Sequence, residues 1–145
     1  MAFLLIFSGC TKKENKKENF DLENKTEVKT DLKEEKELSE DEFYYKLEDV
    51  AKYIHIYEKL PKNYIKKSEA DKIGWSVKNS EGLVIGGDEF KNREKILPQK
   101  EGRKYFEADL QEGYSENRGP MRIVYSNDGL IFYTKDHYKS FEQLY

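Results

Sequence analysis

The sequence predicts an α+β domain, with N-terminal helices packed on a C-terminal antiparallel β-sheet, over residues 39–145 of a 145-residue chain. The aromatic residues indicate where a core can form, because only Phe3, Phe7 and Phe20 precede Phe43. A hydrophobic core is therefore expected only from about residue 43 onward. Apolar residues of this region first recur at helical spacing and then alternate as in strands. Helices followed by an antiparallel meander make an α+β domain.

The first ten residues are interpreted as an export segment. Residues 2–9 form an apolar run that is too short to span a bilayer as a helix and ends in two small residues. Ser8-Gly9-Cys10 resembles the lipobox of bacterial lipoproteins, in which the cysteine is acylated, with Phe7 in place of the usual aliphatic residue. The alternative is a plain signal peptide with an incidental cysteine. Both interpretations predict an extracellular protein, either secreted or lipid-anchored on the outer face of the cell membrane.

Residues 11–38 are predicted to be a charged, disordered linker. The segment consists of Lys, Glu, Asn and Asp with hardly an apolar residue, and it cannot bury enough surface to offset the entropy lost on ordering. The alternative is a solvated helix held by Glu–Lys pairs. Residues 1–42 contain 8 Lys or Arg and 12 Asp or Glu, whereas residues 43–145 contain 18 and 17. The domain is thus nearly neutral, and its charge does not predict nucleic-acid binding.

Two helices open the predicted domain. Ser39 and Glu42 have the spacing of a capping box, so the first helix is expected to start with Ser39 as its N-cap. Its apolar face consists of residues at intervals of three and four, namely Phe43, Leu47, Val50, Ile54 and Tyr57. Pro61 should end this helix, because proline disfavours helical geometry in the residue before it. A short second helix is expected between a cap at Ser68 and a stop at Gly74.

Strands are predicted beyond Gly82. Apolar and polar residues alternate along two runs, with Phe106, Ala108 and Leu110 in the first and Ile123 and Tyr125 in the second. The Ser-Asn-Asp-Gly sequence at residues 126–129 is typical of a hairpin turn and leads into a further strand over residues 130–134. The sheet is therefore expected to be an antiparallel meander.

Several charged residues are candidates for chemistry. Side chains of a strand point alternately to opposite faces, so Glu107 and Arg122 are expected on the face turned away from the predicted core. The pair could be a cross-strand ion pair and nothing more. His137 follows the last predicted strand, Arg118 precedes Arg122 by four residues, and Lys67 opens the second helix. Together these groups could act on a phosphodiester, but spacing alone does not bring them to one place.

Four blocks of the sequence carry a family resemblance. They are residues 57–75 in the helical part, residues 85–94, residues 102–109 and residues 133–138. Together they extend over about a hundred residues, and their content and order resemble the barnase-like family of secreted bacterial guanyl-specific ribonucleases. The resemblance implies the microbial ribonuclease fold and cleavage of single-stranded RNA. Cleavage would proceed by transphosphorylation to a 2′,3′-cyclic phosphate, followed by hydrolysis.

The resemblance also implies a role for each matching residue. Glu107 corresponds to the general base and His137 to the general acid. The phosphate-binding cations would be Lys67, Arg118 and Arg122. The base-binding residues would be Phe90, Lys91, Asn92, Arg93, Glu94 and Tyr138, with Glu94 accepting from the N–H edge of guanine and Arg93 also near the phosphates. No cofactor or metal is expected, and His55, within the first helix, is interpreted as structural or surface.

The chain also departs from the family pattern. The stretch between Trp75 and Ile85 is shorter, so a third small helix is expected to be missing. Lys91 replaces a small polar residue in the base-binding loop, and Gly129 stands in place of an aromatic residue. Expected partners are RNA, a barstar-like inhibitor protein, and a membrane only through Cys10, with a monomeric enzyme. The alternatives are a surface-anchored module that binds RNA or protein without catalysis, and the same ribonuclease used as an exported toxin.

Overall fold

The computed structural model describes residues 36–145, and the predicted signal segment, Cys10 and most of the predicted linker lie outside these residues. The helices are α1 (Leu47–Tyr57) and α2 (Lys67–Ile73), with a short 3₁₀ turn at Gln111–Gly113. The strands are β1 (Tyr64–Ile65), β2 (Val84–Phe90), β3 (Tyr105–Asp109), β4 (Arg122–Ser126), β5 (Ile131–Thr134) and β6 (Glu142–Gln143). They form one sheet in the order β1-β2-β3-β4-β5-β6. Only the β1–β2 pair is parallel, which confirms the predicted α+β class.

The first helix starts later than predicted. Residues 40–42 form a turn, in which the Asp41 amide donates to Ser39 Oγ at 3.2 Å. The Tyr44 hydroxyl also contacts the Ser39 backbone, so Ser39 closes a turn and does not cap a helix. α1 begins only at Leu47, after Lys46, which makes no side-chain cap. The helix ends at Glu58, whose left-handed backbone (φ 55°) stops it before Pro61 is reached.

The predicted start of the core at Phe43 is wrong. Leu38 is 2 % exposed and belongs to the core that α1 forms with the sheet, whereas Phe43 is 45 % exposed. The Leu38 carbonyl accepts a hydrogen bond from the Tyr57 hydroxyl at 2.5 Å. The folded part therefore includes residue 38, which the sequence pattern assigned to the linker.

The second helix is capped by carboxylates. Asp88 Oδ2, from β2, accepts the Lys67 amide at 3.0 Å, and Glu69 Oε2 accepts the Lys66 amide at 2.9 Å. These bonds satisfy amides that have no partner within the helix. Ser68 lies inside the helix, so its predicted capping role is wrong, whereas Gly74 ends the helix as predicted in a left-handed conformation (φ 67°). In the described chain no helix intervenes between Gly74 and β2, as expected from the short stretch there.

The sheet has a core on each face. One face packs against α1 and includes Leu110, Ile123 and Ile131. The opposite face holds a smaller core, formed by Leu97, Tyr105, Val124 and Phe132. Glu107 shares this second face with Tyr105, since the two alternate with Phe106 and Ala108 along β3. Gly129 turns the β4–β5 hairpin with a positive φ of 100°, as the sequence predicted. No helix within residues 36–145 is long and apolar enough to cross a membrane.

Candidate active site

Glu107 lies at the centre of the second face with both carboxylate oxygens engaged. Lys67 Nζ, at the start of α2, donates to Glu107 Oε1 at 2.7 Å. The Tyr138 hydroxyl donates to Glu107 Oε2. The Glu107 side chain is 14 % exposed. Burial of the Tyr138 hydroxyl and, to a smaller extent, its hydrogen bond to Glu107 raise the pKa of Tyr138 well above its ordinary value. A hydroxyl that is to be deprotonated by Glu107 must therefore reach a carboxylate oxygen that already accepts one of these two hydrogen bonds.

Both predicted arginines are held by Asp109. Arg118 binds it with two hydrogen bonds, from Nε to Oδ2 at 2.6 Å and from Nη2 to Oδ1 at 2.7 Å. Arg122 Nε lies 2.9 Å from Asp109 Oδ1 without hydrogen-bond geometry, and its Nη1 donates to the carbonyls of Gly119 and Met121. Asp109 is 1 % exposed, and this ion pairing raises the pKa of Arg118 above its ordinary value. The two guanidinium groups are therefore fixed beside the strand that carries Glu107.

Sequence reasoning missed Asp109, with which Arg122 pairs in place of the Glu107 partner that was left open as an alternative. In the antiparallel register Arg122 lies opposite Asp109, and Val124 lies opposite Glu107. The cross-strand ion pair is therefore between Arg122 and Asp109. Asp109 follows Glu107 by two residues, so the alternation that placed Glu107 on this face also indicated Asp109. Neither its burial nor its two arginine partners could be inferred from that spacing.

His137 lies in a tight turn after β5. Its backbone is left-handed (φ 57°), as is that of Tyr138 (φ 71°), a conformation that is uncommon for residues other than glycine. The turn is held by the His137 amide, which donates to the Pro120 carbonyl at 3.2 Å, and by Asp136. Hydrogen bonds from Ser140 lower the pKa of Asp136 to about 2. The imidazole is exposed, with its centroid 5.0 Å from that of the Tyr138 ring.

The predicted base-binding residues line one groove of about 400 Å³. Its walls include His137 and all six predicted residues, namely Phe90, Lys91, Asn92, Arg93, Glu94 and Tyr138. Tyr138 stacks on Phe90 at 5.0 Å between centroids. The groove thus adjoins Glu107 through Tyr138, whose hydroxyl contacts that carboxylate.

Two residues of the loop are already engaged within it. Asn92 Nδ2 donates to the Leu97 carbonyl at 2.9 Å and Asn92 Oδ1 accepts the Leu97 amide at 3.1 Å, so this side chain holds the loop together. Lys91 Nζ lies 2.8 Å from Glu89 Oε2, and this hydrogen bond lowers the pKa of Glu89. In the part of the chain described, the exposed side chains of Arg93 and Glu94 have no hydrogen bond or ion pair. Glu94 is therefore the acidic acceptor that this loop offers to a ligand.

The structure separates the second histidine from this site. His55 is exposed on α1, which packs on the opposite face of the sheet, and its ring stacks on Tyr145 with centroids 4.1 Å apart. Its interpretation as a structural or surface residue is consistent with this position. Within residues 36–145, no group of three or more His, Cys, Asp or Glu side chains is arranged to hold a metal ion.

Comparison with known proteins relates this chain to ribonucleases. A family model described as ribonuclease matches residues 47–145. The chain is 44 % identical over 101 residues to a ribonuclease of Heyndrickxia coagulans, which covers 66 % of this chain and 92 % of that protein. The chain is also 44 % identical over 101 residues to a ribonuclease of Bacillus intermedius, and the match covers 66 % of this chain and 62 % of that protein. The guanyl-specific ribonuclease St of Saccharopolyspora erythraea is 42 % identical over 55 residues, or 38 % of this chain and 54 % of that protein.

Proposed function

This chain belongs to the ribonuclease family, and on that premise we propose that it is an exported endoribonuclease that cuts single-stranded RNA after guanosine. The observation that carries the proposal is the position of Glu107. This carboxylate lies between Lys67 and Tyr138, beside two arginines, and next to a groove that contains His137. An acid–base pair and a set of cations around one groove suit the cleavage of a phosphodiester.

The reaction consists of two in-line displacements. Glu107 accepts the proton of the ribose 2′-hydroxyl once that hydroxyl has donated a hydrogen bond to one of the carboxylate oxygens. The 2′-oxygen then forms a bond to phosphorus while the bond from phosphorus to the 5′-oxygen breaks, and protonated His137 gives that oxygen its proton. Water opens the resulting 2′,3′-cyclic phosphate in the second step, with the two roles exchanged. A histidine suits this exchange because an imidazole can gain or lose a proton near neutral pH.

The cations stabilise the negative charge that builds on the phosphoryl oxygens. Lys67 contacts Glu107, the proposed general base, directly. Asp109 fixes the guanidinium groups of Arg118 and Arg122 before substrate arrives. Groups that are positioned in advance need no reorganisation during the reaction, which is why they stabilise charge more than water does.

Guanine is proposed to bind in the groove formed by the 90–94 loop and Tyr138. The exposed Glu94 carboxylate accepts hydrogen bonds from the N–H edge of the base, and backbone amides of the loop donate to its O6 oxygen. Adenine does not present the same donors and acceptors. We expect Lys91 to leave this preference in place, because its ammonium group pairs with Glu89 Oε2 at 2.8 Å.

The test is cleavage of a defined single-stranded RNA that contains one guanosine, with both product ends mapped. We expect a break 3′ of the guanosine, a transient 2′,3′-cyclic phosphate, and no cut in the corresponding DNA, which lacks the 2′-hydroxyl. Glu107→Gln and His137→Gln should each lower the rate by roughly 10²–10⁴-fold. His55→Gln is the matched control and should cleave like the wild type. RNA binding without cleavage would instead identify a non-catalytic binding module.

Export and anchoring are proposed from the N-terminal sequence alone. Residues 2–9 suit an export signal, and Ser8-Gly9-Cys10 suits acylation of the cysteine. Cys10→Ser should then move the protein from the membrane fraction to the soluble fraction without changing the turnover of purified enzyme. Unmodified Cys10 in freely secreted protein would contradict the anchor but not the ribonuclease. A monomeric state and inhibition by a barstar-like protein remain predictions.

A further inference from the structure

A second groove of about 520 Å³ adjoins the proposed guanine groove. The two share one wall, which consists of Glu89, Phe90, Lys91 and Asn92. The second groove continues on the other side of this wall, along residues 99–105 at the start of β3. The two grooves thus lie on either side of one wall.

The charges of the second groove favour an anion. Its lining includes four cationic side chains, Lys91, Lys100, Arg103 and Lys104, against two carboxylates, Glu89 and Glu101. Lys91 is paired with Glu89, and Arg103 binds Asp128 through three hydrogen bonds of 2.7 to 2.9 Å. Lys100 and Lys104 are exposed, and neither makes a side-chain hydrogen bond or ion pair within residues 36–145, although Lys104 interacts electrostatically with Glu89. Against them the groove sets Glu101, so its side chains outside the two ion pairs carry a net positive charge.

The aromatic residues of this groove are not available for stacking. Phe90 already stacks on Tyr138, and Tyr105 is 4 % exposed with its hydroxyl bonded to the Pro98 carbonyl at 2.5 Å. The groove therefore offers charged side chains rather than aromatic rings to a ligand. Phosphate contacts of this kind carry no sequence information.

We propose that this groove is a subsite for the phosphodiester backbone of RNA beyond the bound guanosine, with Lys100 and Lys104 as its phosphate-binding residues. The inference rests on the proposed function, because it takes the guanine groove as the starting point of the bound strand. The subsite favours polymeric RNA over dinucleotides without preference for the added bases.

The experiment compares a guanosine dinucleotide with two longer RNAs, one extended only on the 5′ side of its single guanosine and one only on the 3′ side. Lys100→Glu/Lys104→Glu should lower kcat/KM on one extended RNA by roughly five- to thirtyfold, since each exposed charge contact contributes up to about fivefold. Cleavage of the dinucleotide should stay within about twofold of wild type. The extension that is affected identifies the side of the guanosine that lies in the groove.

Lys46→Glu/Lys78→Glu is the control, because both lysines are exposed, lie outside the two grooves and change the net charge equally. Affinity for a single-stranded DNA of the same sequence, which is not cleaved, supplies a readout without catalysis. The slope of the logarithm of this affinity against the logarithm of salt concentration should become less negative in the Lys100/Lys104 variant, by about 0.7 per lost phosphate contact. The slope should not change in the control.

Equal losses in both variants would reduce the effect to net charge and overturn the subsite. So would unchanged cleavage of both extended RNAs by the Lys100/Lys104 variant. If wild type cleaves none of the three RNAs, the proposed function fails. Loss of DNA binding confined to the Lys100/Lys104 variant would then still support an anion groove.

Discussion

At the residue scale, the candidate site depends on carboxylates with distinct partners. Glu107 is bound by Lys67 and Tyr138, and Asp109 by both arginines, although the two carboxylates lie two residues apart on one strand. Glu94 has no partner among the described residues. In the proposed mechanism the first carboxylate accepts a proton and the third meets the base, whereas the second holds the two arginines.

Asp109→Asn should destabilise the protein and also slow cleavage. Removing one partner from a buried ion cluster leaves uncompensated charge, which typically costs about 3–5 kcal/mol. Urea unfolding should show this loss, and kcat on RNA should fall because Arg118 and Arg122 lose their fixed positions. Glu116→Gln, which changes an exposed carboxylate near Arg118, is the control. Full activity in folded Asp109→Asn would show that the arginines do not need this anchor.

Glu94→Gln should reduce cleavage after guanosine more than residual cleavage after adenosine. The carboxylate is exposed in the groove. In the proposed binding mode it would accept two N–H donors of guanine, and one charged hydrogen bond is worth about 1.5–3 kcal/mol. The measurement is kcat/KM on GpN and ApN dinucleotides, with Glu101→Gln as a control outside the guanine groove. Equal losses on both dinucleotides would assign base recognition to other residues.

At the scale of elements, an ion pair joins the start of β3 to the β4–β5 hairpin. Arg103 donates to both oxygens of Asp128 at 2.7 to 2.9 Å, and Ser126 Oγ donates to Asp128 Oδ1 at 2.6 Å. The hydrogen bonds from the Arg103 guanidinium and, to a smaller extent, from the Ser126 hydroxyl lower the pKa of Asp128 to about 2. The contact closes the end of the hairpin that borders the second groove.

The stabilisation from Asp128 should therefore depend on pH. Its folded pKa lies below the ordinary value of about 3.9 for an unfolded aspartate, so the contribution is complete above about pH 4 and is lost as pH falls towards 2. Asp128→Asn should lower Tm at pH 7, and the difference from wild type should shrink between pH 4 and 2. Asp71→Asn, at an exposed carboxylate on α2, is the control. A constant difference across this pH range would exclude the charge as its cause.

At the scale of the whole molecule, the folded part extends beyond the region that the family model matches. That match begins at residue 47, whereas Leu38 and Tyr44 already belong to the core. Leu38 is buried beside α1, and the Tyr44 amide donates to Asn63 Oδ1 at 3.3 Å while Asn63 Nδ2 donates to the Tyr44 carbonyl at 2.9 Å. Asn63 is fully buried, so these two bonds anchor the segment before α1.

A chain that starts at residue 36 should keep the Tm and RNA cleavage of the full chain, whereas one that starts at residue 43 should be less stable. The shorter chain loses the Leu38 side chain from the core, and burying a leucine is worth about 2–5 kcal/mol. Leu38→Ala in the full chain should also lower Tm. Ile73→Ala, at a residue that is 63 % exposed, should leave Tm unchanged. Equal Tm values for the two truncated chains would show that the segment before α1 contributes nothing.

Much of the fold was determined by local properties of the sequence. Alternation along β3 and β4, the Ser-Asn-Asp-Gly turn and the stop at Gly74 each depend on residues close together in the chain. Such patterns follow from backbone geometry and therefore predicted the α+β class and the face of Glu107. The site residues came from a family resemblance, which lists positions without their contacts.

Only the tertiary structure decided which of these groups touch. Four features appear only once the chain is folded. They are the late start of α1, the burial of Leu38, the ion pairs of Asp109 with two arginines, and the pairing of Lys91 with Glu89. Three of the four depend on packing between residues far apart in sequence, and packing overrode the weak local preference of Ser39 for a helix cap. The fourth joins Glu89, near the end of β2, to Lys91 just after the strand, and there the choice of partner depends on which other charges lie within reach. Local pattern specifies elements and faces, whereas contacts between elements are set by how all of them pack together.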